Sequence, residues 1–586
     1  MVIIDTEVFR DYFLLAALHL PTGRVGFFEM YDGKELDTGF RSMLQRQTTV
    51  SFNGLNFDLP ILVHALGKAS CADLKALADD IILNNRKAWQ LGIEIPKRWD
   101  HIDLIELAPG QNSLKTYGGR LNADKLQDLP FPPEASIAPD QRETVRNYCV
   151  NDLRTTALLY ETLKPQIALR EQMSEQYGVD LRSKSDAQIA EAVIRHELER
   201  MSDAPIPKPK VNLNATYRYL DPEIIKFKDP ELQKVFKRIL SHQFSLSGNG
   251  AIALPDWLGM TKIKLGGRDY QMGIGGLHSC EKRQYVEADS DYLLADFDVA
   301  SYYPSIILQQ QLAPKALGKN FLNVFQTIVT RRLNAKKTGD KVTADTLKIT
   351  VNGTFGKLGS KYSFLYSPDL LVQTTITGQL ALLMLIERMH EAGIEAVSAN
   401  TDGVVLRCPR ALERKMEEVA WGWMLDTSYE LERTNYRLVA SRDVNNYLAV
   451  KTDGKAKGKG VFAAPGLAKN PDGQIIYDAA AARIMRGTPF EETIRNCRDI
   501  RKFVTLRRVT GGAVWEGQHL GKVVRFYYST SVPETTAIRY AKNGNMVPKS
   551  QGAVPMMDLP ESFPDDIDYR VYEVETERLL CEVGYL

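Results

Sequence analysis

At 586 residues the chain is too long for one hydrophobic core, and about three to five compact units are expected. Hydrophobic content of 44% and charged content of 25% are those of an ordinary folded protein; wholesale disorder is disfavoured, and no uninterrupted apolar run approaches a membrane span. Net charge is only +1, so the cations for any nucleic-acid contact must be clustered locally.

The chain opens on Met-Val-Ile-Ile-Asp5 without a basic segment, a long apolar stretch or a small-residue cleavage site, which predicts a cytoplasmic location. The six cysteines are scattered, with no CxxC pair and no histidine at ligand spacing nearby, so neither a zinc site nor a disulfide framework is expected. Residues 1–64 alternate short β-rich runs (2–4, 12–20, 48–52) with turns and helical patterns, an α/β signature. Asp5 and Glu7 lie on the first of these strands and point the same way. Asn53-Gly-Leu-Asn-Phe57-Asp58 adds a third acid. A helix expected at about 141–161 adds Asp152, on one face with Tyr148. Four acids and a phenol fit two-metal phosphodiester hydrolysis, with the tyrosine orienting the attacking water. Asp103 reads as a surface or capping residue, with a part in substrate contact or structure as the other option, and Lys115 as a cation able to reach a phosphate.

A second helix is expected near 185–200. The stretch Pro205-Ile-Pro-Lys-Pro-Lys210 has the composition of an extended linker and marks the first domain boundary. Strands follow at about 293–298 and 396–406, bracketing helical stretches 321–337 and 345–355. The turn residues 338–343 make that pair a helical hairpin projecting from a sheet. Asp298 closes the first strand and is followed by Ser301-Tyr-Tyr-Pro304; Asp402 lies in the second β-rich segment. Lys348, Asn352 and Phe355 share one helical face, and Arg331 or Arg332 on the opposing helix supplies a second cation. Two carboxylates and a phosphate-binding cation are what nucleotidyl transfer needs, because that chemistry proceeds mainly by positioning and charge neutralisation.

These three patches resemble the motifs of the family B DNA polymerases. DxxSLYPS corresponds to 298–305 with Tyr302 at the leucine, KxxxNSxYG to 348–356 with Gly353 and Phe355 at the serine and tyrosine, and YxDTDS to 398–403. The first aspartate of the third motif is Asn400, which removes one negative charge; Asp296, two residues before Asp298 on the same strand face, is its candidate replacement, against the alternative of a strand-end acid facing solvent. The upstream acids resemble the 3′→5′ proofreading exonuclease of the same family. Asn445-Asn-Tyr447 and Lys459 resemble the part that grips the primer terminus, although lysine is frequent in the family where Asn445 stands.

The resemblance implies an α/β and α+β multidomain chain: an RNase H-like exonuclease domain (1–205), a linking region (206–285), palm (286–312), fingers (313–358), palm again (359–464) and thumb (465–586), the last mostly helical at first. It implies that Asp298, Val299 and Asp402 hold two Mg²⁺ ions, for which Mn²⁺ can substitute, and that Asp5, Glu7, Asp58 and Asp152 hold two more, with Tyr148 beside them. Lys348, Asn352, Ser301, Arg331 and Arg332 would contact the dNTP, and Tyr303 would lie under its sugar and exclude a 2′-hydroxyl. Tyr447, Lys459, Asn53 and Phe57 would contact DNA, with a single-stranded 3′ end entering the exonuclease site. The 50 residues from Asp298 to Lys348 and 54 from Lys348 to Asp402 leave no room for the insertions of protein-primed members. A compact monomeric polymerase of a virus, most simply a phage, or of another mobile element is therefore expected, acting in the host cytoplasm if viral, starting from a nucleic-acid primer and of low processivity unless a partner clamps it. Nine acids against two arginines between Asp558 and Glu582 are expected to face away from DNA. Two rivals stay open: a nuclease whose polymerase half has decayed through Asn400 into a DNA-binding platform, and a non-catalytic scaffold.

Overall fold

Along the strand Val2–Val8, Val2 and Ile4 pack with Phe13, Leu15 and Leu59, while Ile3 packs on the opposite side with Val145, Cys149 and Leu153. The period of two therefore turns Asp5 and Glu7 toward the helix Arg142–Tyr177, which carries those last three residues. The computed structural model describes residues 1–201 and 205–586; residues 202–204, at the end of the expected first domain, lie outside it. Val2–Val8 sits at the centre of a five-stranded sheet, antiparallel to Tyr12–His19, which pairs with Arg24–Tyr31, and parallel to Thr49–Ser51, which pairs with His101–Asp103. The helix expected at 141–161 runs on to Tyr177 and ends at Gly178, whose φ of 63° suits the left-handed cap.

One buried charge ties this sheet to its helix. Glu29, 5% exposed, accepts two hydrogen bonds of 2.8 Å from the Arg146 guanidinium and another from the Tyr12 hydroxyl. Burial opposes its charge, but these donors prevail and bring its pKa down to about 2 from 4.5. A depressed carboxyl stabilises the fold above its unfolded pKa and loses that contribution as pH falls through the folded value. Glu29→Gln is expected to cost roughly 3 kcal/mol at pH 7, with the deficit shrinking between pH 4.5 and 2. Thermal unfolding of both chains across that window checks it.

The segment expected to be a thumb, mostly helical at first, does open on two helices but is largely β beyond them. After the helices Gln474–Arg486 and Phe490–Asn496, five antiparallel strands form a sheet in the order Met546–Gln551, Ala537–Tyr540, Thr505–Trp515, Gln518–Tyr528, Ala553–Pro555. Alternating apolar residues such as Val509, Val524, Phe526 and Ile538 give it a core of its own, a period-two pattern that the neighbouring charges conceal in the sequence. Residues Ile494–Glu573 form one compact unit with Met1–Ser185 and Pro465–Ile476. Fully buried Arg525 stitches this unit internally by donating to the carbonyls of Ala123 and Met556, at 2.9 Å each. Among the terminal acids, Glu573 pairs with Arg495 at 2.7 Å and Glu582 with Arg442 at 3.4 Å.

The second unit comprises Asp186–Ala464, Tyr477–Thr493 and Val574–Leu586. The first boundary thus falls near residue 185 rather than 205. Its sheet runs Ala456–Lys459, Asn446–Lys451, Leu431–Asp443, Tyr292–Val299, Gly403–Pro409, Glu395–Asn400, Leu277–Ser279, Arg268–Met272, Ile263–Leu265, with Gln284–Glu287 also paired to Leu431–Asp443. The expected linking region therefore contributes four of these strands. One face packs on the helix Pro368–Glu391. By length and composition that helix could cross a membrane, contrary to the expectation that no such run exists, but 89% of its apolar window is buried within the protein.

The helical hairpin is present as Gly318–Thr338 and Lys341–Lys357. Gly339 supplies a left-handed residue between them, and Asp340 caps the second helix through the Thr343 amide at 3.1 Å. The helix Asp186–Met201 packs across both, joined by Lys357–Glu191 at 2.7 Å and Arg331–Glu197 at 3.6 Å. This contact accounts for Gly353, which replaces the motif serine: a β-carbon there would lie 2.6 Å from the Asp186 carbonyl oxygen and 2.8 Å from Ala190 Cβ. Gly353→Ser is expected to cost about 1–3 kcal/mol by overpacking, read as a lowered Tm.

Candidate active site

Antiparallel neighbours flank Tyr292–Val299 on both sides. Asp298 pairs with Gly403 and Glu432, and Asp296 with Val405 and Thr434. Odd residues of this strand (Leu293, Ala295, Phe297, Val299) enter the main core, which leaves Leu294, Asp296 and Asp298 on the other face. Asp402 occupies the two-residue turn between Asn400 and Gly403, with Thr401 at a φ of 58°. The Val299 amide donates to the Asp402 carbonyl at 2.7 Å, pinning the turn to the strand end that carries Asp298. The two carboxylates therefore share one cleft, together with Asp296, Lys457 and Lys459. Enclosure and the charge of Asp298 raise the pKa of Asp402. A β-carbon at Gly403 would lie 2.2 Å from Asp298 Oδ1, so any larger residue there makes that carboxylate move.

Asp296 is not a strand-end acid in solvent. It is 5% exposed, accepts from the Tyr436 hydroxyl at 2.7 Å, and is pushed up to about 6 by burial and by Asp298. The Lys457 ammonium lies 3.7 Å from Asp296 and 3.8 Å from Asp298. Asn400 spends its amide on the Val444 carbonyl at 3.2 Å, and its oxygen accepts from Thr401 at 3.0 Å.

On the hairpin, Lys348 and Asn352 are exposed, and Phe355, one turn further along the same face, stacks on Tyr303 with ring centroids 4.2 Å apart. That stack brings the Lys348 face to the side of the sheet where Ser301 and Tyr303 begin the helix Tyr302–Gln309. Arg332 donates to Ser301 Oγ at 2.8 Å, whereas Arg331 turns to Glu197, so of the two expected cations only Arg332 joins this group. Tyr302, at the motif leucine, is buried with its hydroxyl on the Gly378 carbonyl at 2.5 Å. Tyr447 and Lys459 are directly opposite each other on adjacent strands and both line the cleft. Asn445 is exposed on the turn before them.

In the first unit, Asp5, Glu7, Asp58 and Asp152 converge. Burial, with Asp58 and Asp152 adding to it, holds the Asp5 carboxyl well above the usual range, and Glu7 is raised by burial, Asp5 and Asp152. Asp58, 3% exposed, is pushed up to about 7 by burial although the Thr6 amide and hydroxyl donate to it at 3.0 and 2.6 Å. Burial takes Asp152 to about 6, against the pull of Lys115 and the Tyr148 hydroxyl. The Lys115 ammonium sits 5.0 Å from the Tyr148 ring centre, so the expected cation is at hand. Four acids with one nearby lysine form an under-neutralised set of hard oxygen donors, which suits Mg²⁺ or Mn²⁺. The carboxylates of the second unit suit the same ions.

Asp103 is neither exposed nor among these acids. At 1% exposure it accepts from the amides of Asn53, Leu55 and Ile105 at 2.8, 2.9 and 3.1 Å, which fixes the loop carrying Asn53, Phe57 and Asp58. Asn53 itself adopts a φ of 68° and is half-buried, and Phe57 precedes the helix Asp58–Ala65. Sequence reasoning passed over Cys149, whose thiol donates to Asp5 Oδ2 at 3.3 Å and lies with Asp5 and Glu7 in one potential ligand group. Its place immediately after Tyr148 was the available signal. It also passed over Lys457 as an individual; the alternation of 457 and 459 on one strand could have singled it out.

No family model matches the chain. A curated relative, DNA polymerase 1 of Saccharolobus solfataricus, is 29% identical over 119 residues, covering 20% of this chain; the chain spans 13% of that relative's length. Among solved structures, the family B DNA polymerase from the hyperthermophilic archaeon Pyrobaculum calidifontis aligns over 100% of this chain and 78% of that one, at 13% identity and a TM-score of 0.39.

Proposed function

We propose that the chain is a template-directed DNA polymerase of the family B type that extends a primer with dNTPs and removes misincorporated nucleotides by 3′→5′ hydrolysis. The observation that carries the reading is the convergence of Asp298 and Asp402, distant in sequence, through the 2.7 Å bond from Val299 to the Asp402 carbonyl. The three motif resemblances and the Tyr303–Phe355 stack support it further. Bound between these carboxylates, two divalent cations would neutralise the triphosphate and activate the primer hydroxyl. Lys348 and Arg332 would bind phosphate oxygens, and the ring of Tyr303 would underlie the sugar and leave no space for a 2′-hydroxyl. Tyr447 and Lys459 would hold the primer terminus, with salt-sensitive affinity that does not depend on sequence. In the first unit Tyr148 would orient water toward the last phosphodiester, while Asn53 and Phe57 would contact the strand end.

In this reading residues 1–185 are the exonuclease, the long sheet the palm and the helical hairpin the fingers. The short spacing between motifs favours a compact viral enzyme, monomeric in the host cytoplasm, that starts from a nucleic-acid primer. A labelled primer-template incubated with Mg²⁺ tests both activities. With dNTPs the primer should lengthen according to template, and without them it should shorten from the 3′ end. Shortening without any extension would favour the nuclease with a decayed polymerase half, and neither change the scaffold.

A further inference from the structure

Two departures from the family motifs fall side by side. Asn400 stands at an acid position and Asn445 where a lysine is frequent, and the Asn400 amide bonds the carbonyl of Val444, the residue before Asn445. One negative charge at the cleft wall and one positive charge on the turn beside it are thus absent relative to those motifs. The same cleft holds one of each a short way off. Asp296 is anchored at 2.7 Å by the Tyr436 hydroxyl, and Lys457 stands between Asp296 and Asp298 at 3.7 and 3.8 Å. Strand register sets this arrangement: Ala449 opposes Lys457 and Tyr447 opposes Lys459, so both lysines project from the same side of the outermost strand.

We propose that Asp296 and Lys457 are a positioning pair for the Asp298 carboxylate, supplying from two strands the acid and the cation that Asn400 and Asn445 no longer provide. The proposal rests on the polymerase reading of this site. Buried Asp296 holds the ammonium by one side, so Lys457 steadies Asp298 while leaving it open to a divalent cation. Without Asp296, Lys457 is left to pair with Asp298 and its neighbour Asp402 and competes with that cation. Without Lys457, two carboxylates face each other, attracting cations more strongly but leaving Asp298 unrestrained.

Removal of either member thus shifts metal affinity in opposite directions, whereas a merely structural role would weaken it in both. Mn²⁺ binding, followed by electron paramagnetic resonance of the free ion in a chain also carrying Asp5→Ala to empty the other acid cluster, provides the readout. Lys457→Met should tighten Mn²⁺ binding about five-fold and Asp296→Asn should weaken it about five-fold, each lowering the primer-extension kcat by about ten-fold. In the Asp296→Asn/Lys457→Met background, adding Asn400→Asp with Asn445→Lys should return kcat to within about three-fold of the parent, as expected of a relocated pair. Affinity shifts of the same sign, no shift in either variant, or failed rescue in a chain that melts like the parent would overturn the proposal. A parent that binds Mn²⁺ and shows the opposite shifts but never extends a primer would refute the polymerase reading instead.

Discussion

Asp402→Ala is expected to lower dNTP incorporation by roughly 1,000-fold or more while 3′→5′ degradation continues at the parental rate. Asp402 sits on a turn tip whose own fold depends on backbone bonds, from Val299 to its carbonyl and between Asn400 and Gly403, so loss of the side chain leaves the scaffold in place. What disappears is one of the carboxylates able to bridge a divalent ion, and with it several kcal/mol of charge stabilisation in the transition state. Single-turnover incorporation on a primer-template, with degradation of a single-stranded oligonucleotide as the internal control for folding, gives the answer. Residual incorporation within ten-fold of the parent would mean that the metals are held elsewhere.

The converse substitution, Asp5→Ala, is expected to remove 3′→5′ hydrolysis by a comparable factor, about 1,000-fold, and to leave primer extension intact. Stability should behave unusually. Asp5 is crowded by Asp58, Asp152 and Glu7, and its charge is opposed by burial, so its removal relieves repulsion. Among the described residues, the one side-chain hydrogen bond it accepts is that of the Cys149 thiol. Tm is therefore expected to hold or rise as activity falls, the opposite of Glu29→Gln. A marked fall in Tm would show that these acids serve the fold, not a metal.

The candidate acids were legible because each sits in a short motif whose local geometry is set by neighbours in sequence: alternation for Asp5 and Glu7, one helical turn for Tyr148 and Asp152, a strand end for Asp298. Their convergence was legible only through the resemblance, since it depends on which strands pair, and the residues themselves carry no direct record that Tyr292–Val299 lies between Gly403–Pro409 and Leu431–Asp443. Asp103 illustrates the same limit. Its neighbours gave no hint that two amides of a loop about 50 residues earlier would close around it, beside that of Ile105. The β-sheet at 505–555 was missed because glycines and charged residues interrupt the alternation in strands that bury one face only. The boundary near 185 was missed because the proline-rich stretch at 205 looks like a joint, whereas the helix before it is held by the helical hairpin 318–357 through Glu191 and Glu197.

Gly403 stands where the family pattern has serine, and the Asp298 oxygen already fills the space that a serine side chain would need. The two positions are thus interlocked: a serine at 403 becomes tolerable only after Asp298 adopts another rotamer.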